Sequence, residues 1–305
     1  MGSILKNSKS GIIDIGSNTI RLCLYTNKKN VLDNYYTQKD YFGLQKYIYN
    51  NVDPIKPIMK MISVVSDMKM ESKKYGVDPF IIGTSAIREI SKIVDVKKLF
   101  FEKTDIKLNI LSPENEGLYS FTGAIDNLKP KNKGMLFDLG GGSLEVGDYN
   151  DKKISNISSI HLGALSLSMR FLNKNRVTSK SLNKCSSYIN NSLEKINYSN
   201  EYDDLIGIGG TIRNLGKIKL VRNNSKNLKK DLNNLEITDD EIDDIIETLI
   251  ISDQGSLEDI KGLNPNRYKT ILPGALVIRE LLKISKQKHI RISAKGIREG
   301  YIITH

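Results

Sequence analysis

Residues 11–25, GIIDIGSNTIRLCLY, superpose on residues 135–149, MLFDLGGGSLEVGDY, at a constant offset of 124 residues. Asp14 falls on Asp138, Gly16 on Gly140, Asn18 on Gly142, Thr19 on Ser143 and Ile20 on Leu144. Each copy reads as an apolar strand, Asp-x-Gly, a small polar turn and a second alternating strand, which is the pattern of a β-hairpin. Hairpins are common, but a shared Asp-x-Gly at the same point of the turn argues for duplication rather than coincidence. The chain is therefore expected to contain two similar domains, each headed by such a hairpin.

With 305 residues, the chain is long enough for two domains with separate cores. Short β-branched strands fit 10–16, 20–26, 79–83, 106–111, 134–139, 144–149, 154–160, 204–208 and 289–293. Between them, helical patterns fit 55–75, 85–92, 94–103, 114–127, 164–173, 178–195, 211–221, 238–252 and 266–286. That alternation argues for an α/β fold. The expected lobes are 1–122, joined by a terminal helix at 297–305, and 123–296, with the two turns facing one another across an interdomain cleft. The acidic stretch 238-TDDEIDDIIE-247 reads as a helix start, with Thr238 as N-cap and Glu241 closing a capping box.

Charge and composition narrow the function. A net charge of +11 favours polyanionic partners. Aromatic residues at 7%, with no Trp, give no stacking platform for single strands, so no specific nucleic-acid module is expected. No apolar run approaches the ~18 residues of a membrane span, and the N-terminus reads as neither a signal peptide nor a myristoylation signal. Cys23 and Cys185 are isolated, and His161, His289 and His305 are scattered, which argues against zinc and for reduced thiols in a cytoplasmic protein.

Three glycines in 138-DLGGGSLEV-146 remove every Cβ from a short stretch of backbone at a cost of about 0.5–1 kcal/mol each relative to Ala. Successive N–H groups of Gly140, Gly141 and Gly142 can then surround a phosphate, with the Ser143 hydroxyl as a further donor. Ser17, Asn18 and Thr19 supply donors of the same kind in the first copy. Gly209, Gly210 and Thr211, in 206-IGIGGTIRNLG-216, end a strand and open a helix, where free N–H groups and the helix dipole attract an anion. Equivalent return-strand positions carry opposite charges, Arg21 in one copy and Glu145 in the other. This reads as a division of labour, with Arg21 clamping phosphate through its guanidinium fork, or as a pseudo-symmetric ion pair between the two.

The hairpins look like the paired phosphate loops of the actin-like, ribonuclease H-like (ASKHA) superfamily. More narrowly, the chain resembles the exopolyphosphatase/guanosine pentaphosphate phosphohydrolase (Ppx/GppA) family, as a short two-domain member. The matching stretches are DIGSNTIRL, 83-GTSAIRE-89, 112-SPENEG-117, 138-DLGGGSLE-145, 207-GIGGTIRNL-215, 272-LPGA-275 and 296-GIREG-300, in family order. The resemblance implies that Asp14 and Asp138, with Glu145, hold Mg²⁺. It implies that Glu116 and Glu145 orient and deprotonate the attacking water, and that Arg88 is a second cationic clamp. Arg213 is a third candidate, or a surface residue of its helix. The implied reaction is Mg²⁺-dependent removal of the terminal phosphate of inorganic polyphosphate. The alternatives are removal of the 5′-terminal phosphate of guanosine pentaphosphate (pppGpp), or a sensor that binds without hydrolysis. Asn115 stands where the family has the first of two paired glutamates, and 267-RYKTILPG-274 lacks the family's Asp. Oligomeric state is left open, a homodimer being one option.

Overall fold

The computed structural model describes residues 8–28, 31–44, 53–128, 130–172, 177–198, 201–252 and 256–305. The chain divides into two compact units, Met1–Glu116 with Tyr301–His305, and Gly117–Gly300. The division falls at 116/117 and 300/301, where the sequence suggests 122/123 and 296/297.

The first unit carries β1 (Lys9–Ile15), β2 (Ile20–Lys28), β3 (Val31–Asp40), α1 (Ile55–Lys73), β4 (Phe80–Gly83), α2 (Ser85–Ser91), α3 (Val96–Thr104) and β5 (Asn109–Ile110). Helix α4 (Pro113–Asn127) begins in this unit and continues into the second. There follow β6 (Lys133–Leu139), β7 (Leu144–Asn150), β8 (Lys153–Ile160), α5 (Ala164–Phe171), α6 (Ser179–Leu193), β9 (Leu205–Gly209), α7 (Gly210–Arg222) and α8 (Leu228–Asp231). The chain closes with β10 (Glu236–Thr238), α9 (Asp239–Ile251), α10 (Ile271–Ser285), β11 (His289–Ile292) and α11 (Ile297–Thr304).

Sheet order is β3-β2-β1-β4-β5 in the first unit and β10-β11-β9-β6-β7-β8 in the second. Reading the second from β8, the run β8-β7-β6-β9-β11 repeats the first, with β10 added at the edge. The repeat holds residue by residue. Asp14 pairs with Arg21 and Ile15 with Ile20 across the first hairpin, as Asp138 pairs with Glu145 and Leu139 with Leu144 across the second. Each turn closes with the same bond, from Gly16 N to Thr19 O at 2.9 Å and from Gly140 N to Ser143 O at 3.0 Å. Each first strand then pairs in parallel with the next, Ile15 opposite Gly83 and Leu139 opposite Gly209. The duplicated α/β architecture legible in the sequence is present.

Alternation along the strands decides which residues meet. Met135, Phe137, Leu139, Leu144 and Val146 enter the larger core under α5, α6, α7, α9 and α10. Leu136, Tyr149, Ile206 and Ile208 line the opposite face, covered by Phe121, Ala124 and Ile125 of α4 and by Leu128 just after it. Because side chains alternate with period two, Asp138 and Glu145 belong to this α4-covered face. In the first unit Ile13, Ile15, Ile20, Leu22 and Leu24 enter a core built with α1, α2 and α3. Asp14 and Arg21 lie on the other face.

Three local differences have physical causes. Strand β3 was not anticipated, because VLDNYYTQKD buries only Leu32 and pairs as a polar edge strand with β2. The helix expected at 266–286 starts at Ile271, and Pro265–Arg267 instead forms a 3₁₀ turn capped by the Asn264 side chain. Strand 106–111 shortens to the two residues of β5. The expected capping box forms, Thr238 Oγ1 accepting from Glu241 N at 3.3 Å and Glu241 Oε2 accepting from Thr238 N at 2.9 Å. Burial pushes the Cys185 thiol up to about 11, so this cysteine stays protonated. No helix among the described residues is long and apolar enough to cross a membrane.

Candidate functional site

In the second unit, two carboxylates are fixed by hydroxyls from two different elements. Glu145 is 1% exposed, and its Oε1 accepts a hydrogen bond from Ser159 Oγ on β8 at 2.8 Å. Asp138 Oδ2 accepts a short bond from Ser120 Oγ, a fully buried residue of α4. A Cβ on Gly117 would lie 3.6 Å from Glu145 Cβ and Cγ, so α4 starts directly against that carboxylate. Neither serine stood out in the sequence. Ser120 lies inside an apolar helical run and Ser159 in a strand of alternating residues, and only the packing of α4 and β8 directs them inward.

The turn after β9 adjoins Asp138. Gly209 has φ +105°, which side-chain-bearing residues rarely adopt, and a Cβ there would stand 2.8 Å from Asp138 Oδ1 and 2.5 Å from Leu139 O. Gly210 opens α7, and its position is closed by Arg267, whose Nη2 would lie 1.6 Å from an added Cβ. Thr211 is buried, and its Oγ1 has no hydrogen-bond partner. Arg213 donates from Nε to Gly209 O at 2.8 Å and from Nη1 to Ala294 O at 2.9 Å. Burial, and then repulsion from Arg298 and Arg267, lowers the pKa of Arg213, against the attraction of Asp138 and Glu299. Arg213 therefore braces the turn from beneath. Arg267 and Arg298 lie in stretches quoted from the sequence, but neither was given a role there.

The Gly140–Ser143 turn is shaped by close approach. None of its glycines has positive φ. A Cβ on Gly163 would come within 2.3 Å of Gly141 O, and Ala164 N, Leu165 N and Ser166 N donate to the carbonyls of Gly140 and Gly141 at 2.9–3.1 Å. The loop carbonyls thus cap α5.

In the first unit, Asp14 and Arg21 are cross-strand partners at the base of the Ser17–Asn18–Thr19 turn. Ser17 is buried, and Asn18 O accepts from Gly43 N at 3.0 Å. Arg88, on α2, donates from Nη1 to Glu116 Oε2 at 2.5 Å and to Leu111 O at 2.9 Å. Both side chains of this pair are mostly buried, at 18% and 13% exposure. Ser112 caps α4, its Oγ accepting from Asn115 N at 3.2 Å. Asn115, where the family has a glutamate, contributes its backbone N–H to this cap. Hydrogen bonds at the same helix start, from a backbone N–H and from Ser112, hold the Glu114 carboxyl below its ordinary range, with help from Arg88.

The donor set is compatible with a hard cation. Among the described residues, no three His, Cys, Asp or Glu side chains group closely enough to hold a metal by themselves. Asp138 and Glu145 offer oxygens only, which suits Mg²⁺, since that ion usually takes one or two carboxylates and completes its shell with water and substrate phosphates.

The whole chain shares its fold with solved structures. A Ppx/GppA family member from Aquifex aeolicus superposes with a TM-score of 0.83 at 21% identity, covering 97% of this chain and 96% of that one. An exopolyphosphatase from Cytophaga hutchinsonii superposes with a TM-score of 0.88 at 20% identity, covering 97% of each. A bifunctional 3-dehydroquinate synthase/phosphatase of Fusobacterium nucleatum is 26% identical over 95% of this chain, and the match spans 46% of that relative's length. Residues 24–305 match the Ppx/GppA phosphatase family over most of the chain, and the protein belongs to that family.

Proposed function

We propose that the protein is a hydrolase of phosphoanhydrides, an exopolyphosphatase that releases orthophosphate from the end of inorganic polyphosphate with Mg²⁺. One observation carries this reading: partly buried Asp138, cross-strand from buried Glu145, adjoins a helix-opening Gly209–Gly210 turn against which the Arg267 guanidinium rests. Carboxylates beside an anion-accepting turn suit phosphoryl transfer to water, a reaction that needs positioning and charge stabilisation more than covalent help. The net charge of +11 favours a long polyanion over a compact nucleotide.

In this scheme Glu116, oriented by Arg88, takes a proton from water as its oxygen attacks the terminal phosphorus. The bridging P–O bond breaks and the shortened chain leaves. Arg21 in the first unit and Arg267 in the second each hold phosphate oxygens, assisted by N–H groups of the turns of their own unit. Ser120 and Ser159 keep Asp138 and Glu145 in place. Asp138 and Glu145 would hold Mg²⁺ together with water and substrate oxygens, and the ion would supply neutralisation of charge on the transferring phosphate.

The reading is tested by assaying phosphate release from polyphosphates of several lengths and from pppGpp, with Mg²⁺ and with EDTA. Release from polyphosphate that requires Mg²⁺ is expected. Release from pppGpp alone would transfer the assignment to the nucleotide, and binding without release would make the protein a sensor.

Ser120→Ala offers a narrower check. It removes the hydroxyl on Asp138 with little change in packing, and the Mg²⁺ concentration for half-maximal activity should rise about tenfold, as loss of an outer-shell partner commonly does. An unchanged Mg²⁺ requirement would remove Ser120 from the site.

A further inference from the structure

Beside the Arg88–Glu116 pair, the first unit has an open pocket of about 360 Å³ lined by Arg88, Ser91, Lys92, Asp95, Lys97 and Ile110. We propose that this pocket is an oligophosphate subsite that holds the phosphates following the one being cleaved, with Arg88 shared between it and Glu116. The inference rests on the reading of Glu116 as the base of a phosphohydrolase.

Its lining carries three cations and one carboxylate, and that carboxylate is already engaged. Asp95 Oδ1 accepts from Lys98 N at 3.0 Å as the N-cap of α3, so its charge serves the helix start. Lys97 has no ion-pair or hydrogen-bond partner among the described residues. Arg88 spends only Nη1 on Glu116 and Leu111, which leaves its Nη2 and Nε donors for an anion. Ser91 Oγ is buried without a hydrogen-bond partner. Lys92 pairs with Glu89 at 2.8 Å on the surface, a contact of little energetic weight that its long side chain can exchange for phosphate. Ile110 is the one apolar wall, so the pocket has cations and a hydroxyl for phosphate oxygens and no aromatic face for a nucleobase. Its volume falls at the small end of ligand sites.

Arg88 gives the pocket a mechanistic role. A phosphate chain bound there would contact the same guanidinium that orients Glu116, so occupancy of the subsite and alignment of the base become linked. Chains too short to reach the pocket would forgo that contact.

The test is calorimetric titration of the full chain with tripolyphosphate in EDTA, comparing wild type with Lys92→Ala/Lys97→Ala. Both lysines are surface residues, and an unchanged melting temperature confirms that the variant is folded. Binding should weaken about tenfold, the loss of roughly two exposed charge contacts. With Mg²⁺, KM for long-chain polyphosphate should rise by a similar factor at constant kcat, and Lys97→Arg should restore it. An unchanged tripolyphosphate affinity in the double variant overturns the subsite. If wild type releases no phosphate from any substrate, the hydrolase reading fails, and the affinity comparison still decides whether the pocket binds oligophosphate.

Discussion

Glu116→Gln should lower kcat for phosphate release by about 10²–10⁴-fold, the usual contribution of a general base, with KM little changed. The substitution is close to isosteric, and its amide oxygen can still accept from Arg88 Nη1, which now holds Glu116 Oε2 at 2.5 Å. Removing the basic carboxylate without removing the hydrogen-bond acceptor isolates the chemistry from the architecture. Glu116→Ala combines the two effects. It leaves the mostly buried Arg88 guanidinium without its carboxylate, and unfolding free energy should fall by about 2 kcal/mol besides. Steady-state phosphate release and thermal unfolding on both variants separate the contributions. If Glu116→Gln keeps activity within tenfold of wild type, Glu116 is not the base, and Glu145 becomes the residue to replace next.

The contrast between these carboxylates and their supports shows what the sequence can carry. Asp14, Asp138 and Glu145 were legible because their signal is local: a strand, a turn and a return strand repeat at a fixed offset, and the register in the structure follows that repeat. Gly209 was legible for the same reason, as a strand end opening a helix. Ser120, Ser159, Arg267 and Arg298 were not. Each joins the site through tertiary packing, Ser120 because α4 lies on the Leu136–Ile206 face of the sheet, and Arg267 because the 3₁₀ turn before α10 abuts Gly210. Strand β3 escaped notice because an edge strand need not alternate when little of it is buried. The glycines at 140–142 were legible as a site of close approach. Part of that approach comes from within the protein, since Gly163 packs on Gly141 and Gly142.

The stretch 296-GIREG-300 extends this lesson, because it is one of the family stretches and its glycines have an architectural duty. A Cβ on Gly300 would lie 1.7 Å from Tyr119 O and 2.8 Å from Gly123 N, and a Cβ on Gly123 would lie 2.1 Å from Gly296 O. Helices α4 and α11 therefore cross backbone to backbone, at a separation that no side chain fits. Backbone cannot rotate out of the way as a side chain can, so Gly300→Ala must push the two helices apart. The unfolding free energy should fall by about 3 kcal/mol or more, at the upper end of overpacking costs. Gly76→Ala is the control: Gly76 has φ +71° but nothing within 4 Å of an added Cβ, so it should cost only the left-handed backbone penalty of about 1–2 kcal/mol. Urea unfolding of the two variants measures the difference. The effect should also reach the chemistry, because α4 carries Ser120 to Asp138 and Gly117 to Glu145. Gly300→Ala should lose activity at temperatures where it remains folded, while Gly76→Ala should not. A Gly300→Ala protein as stable as Gly76→Ala would show that the crossing relaxes easily, and the role of these glycines would then have to be sought in the ligand site.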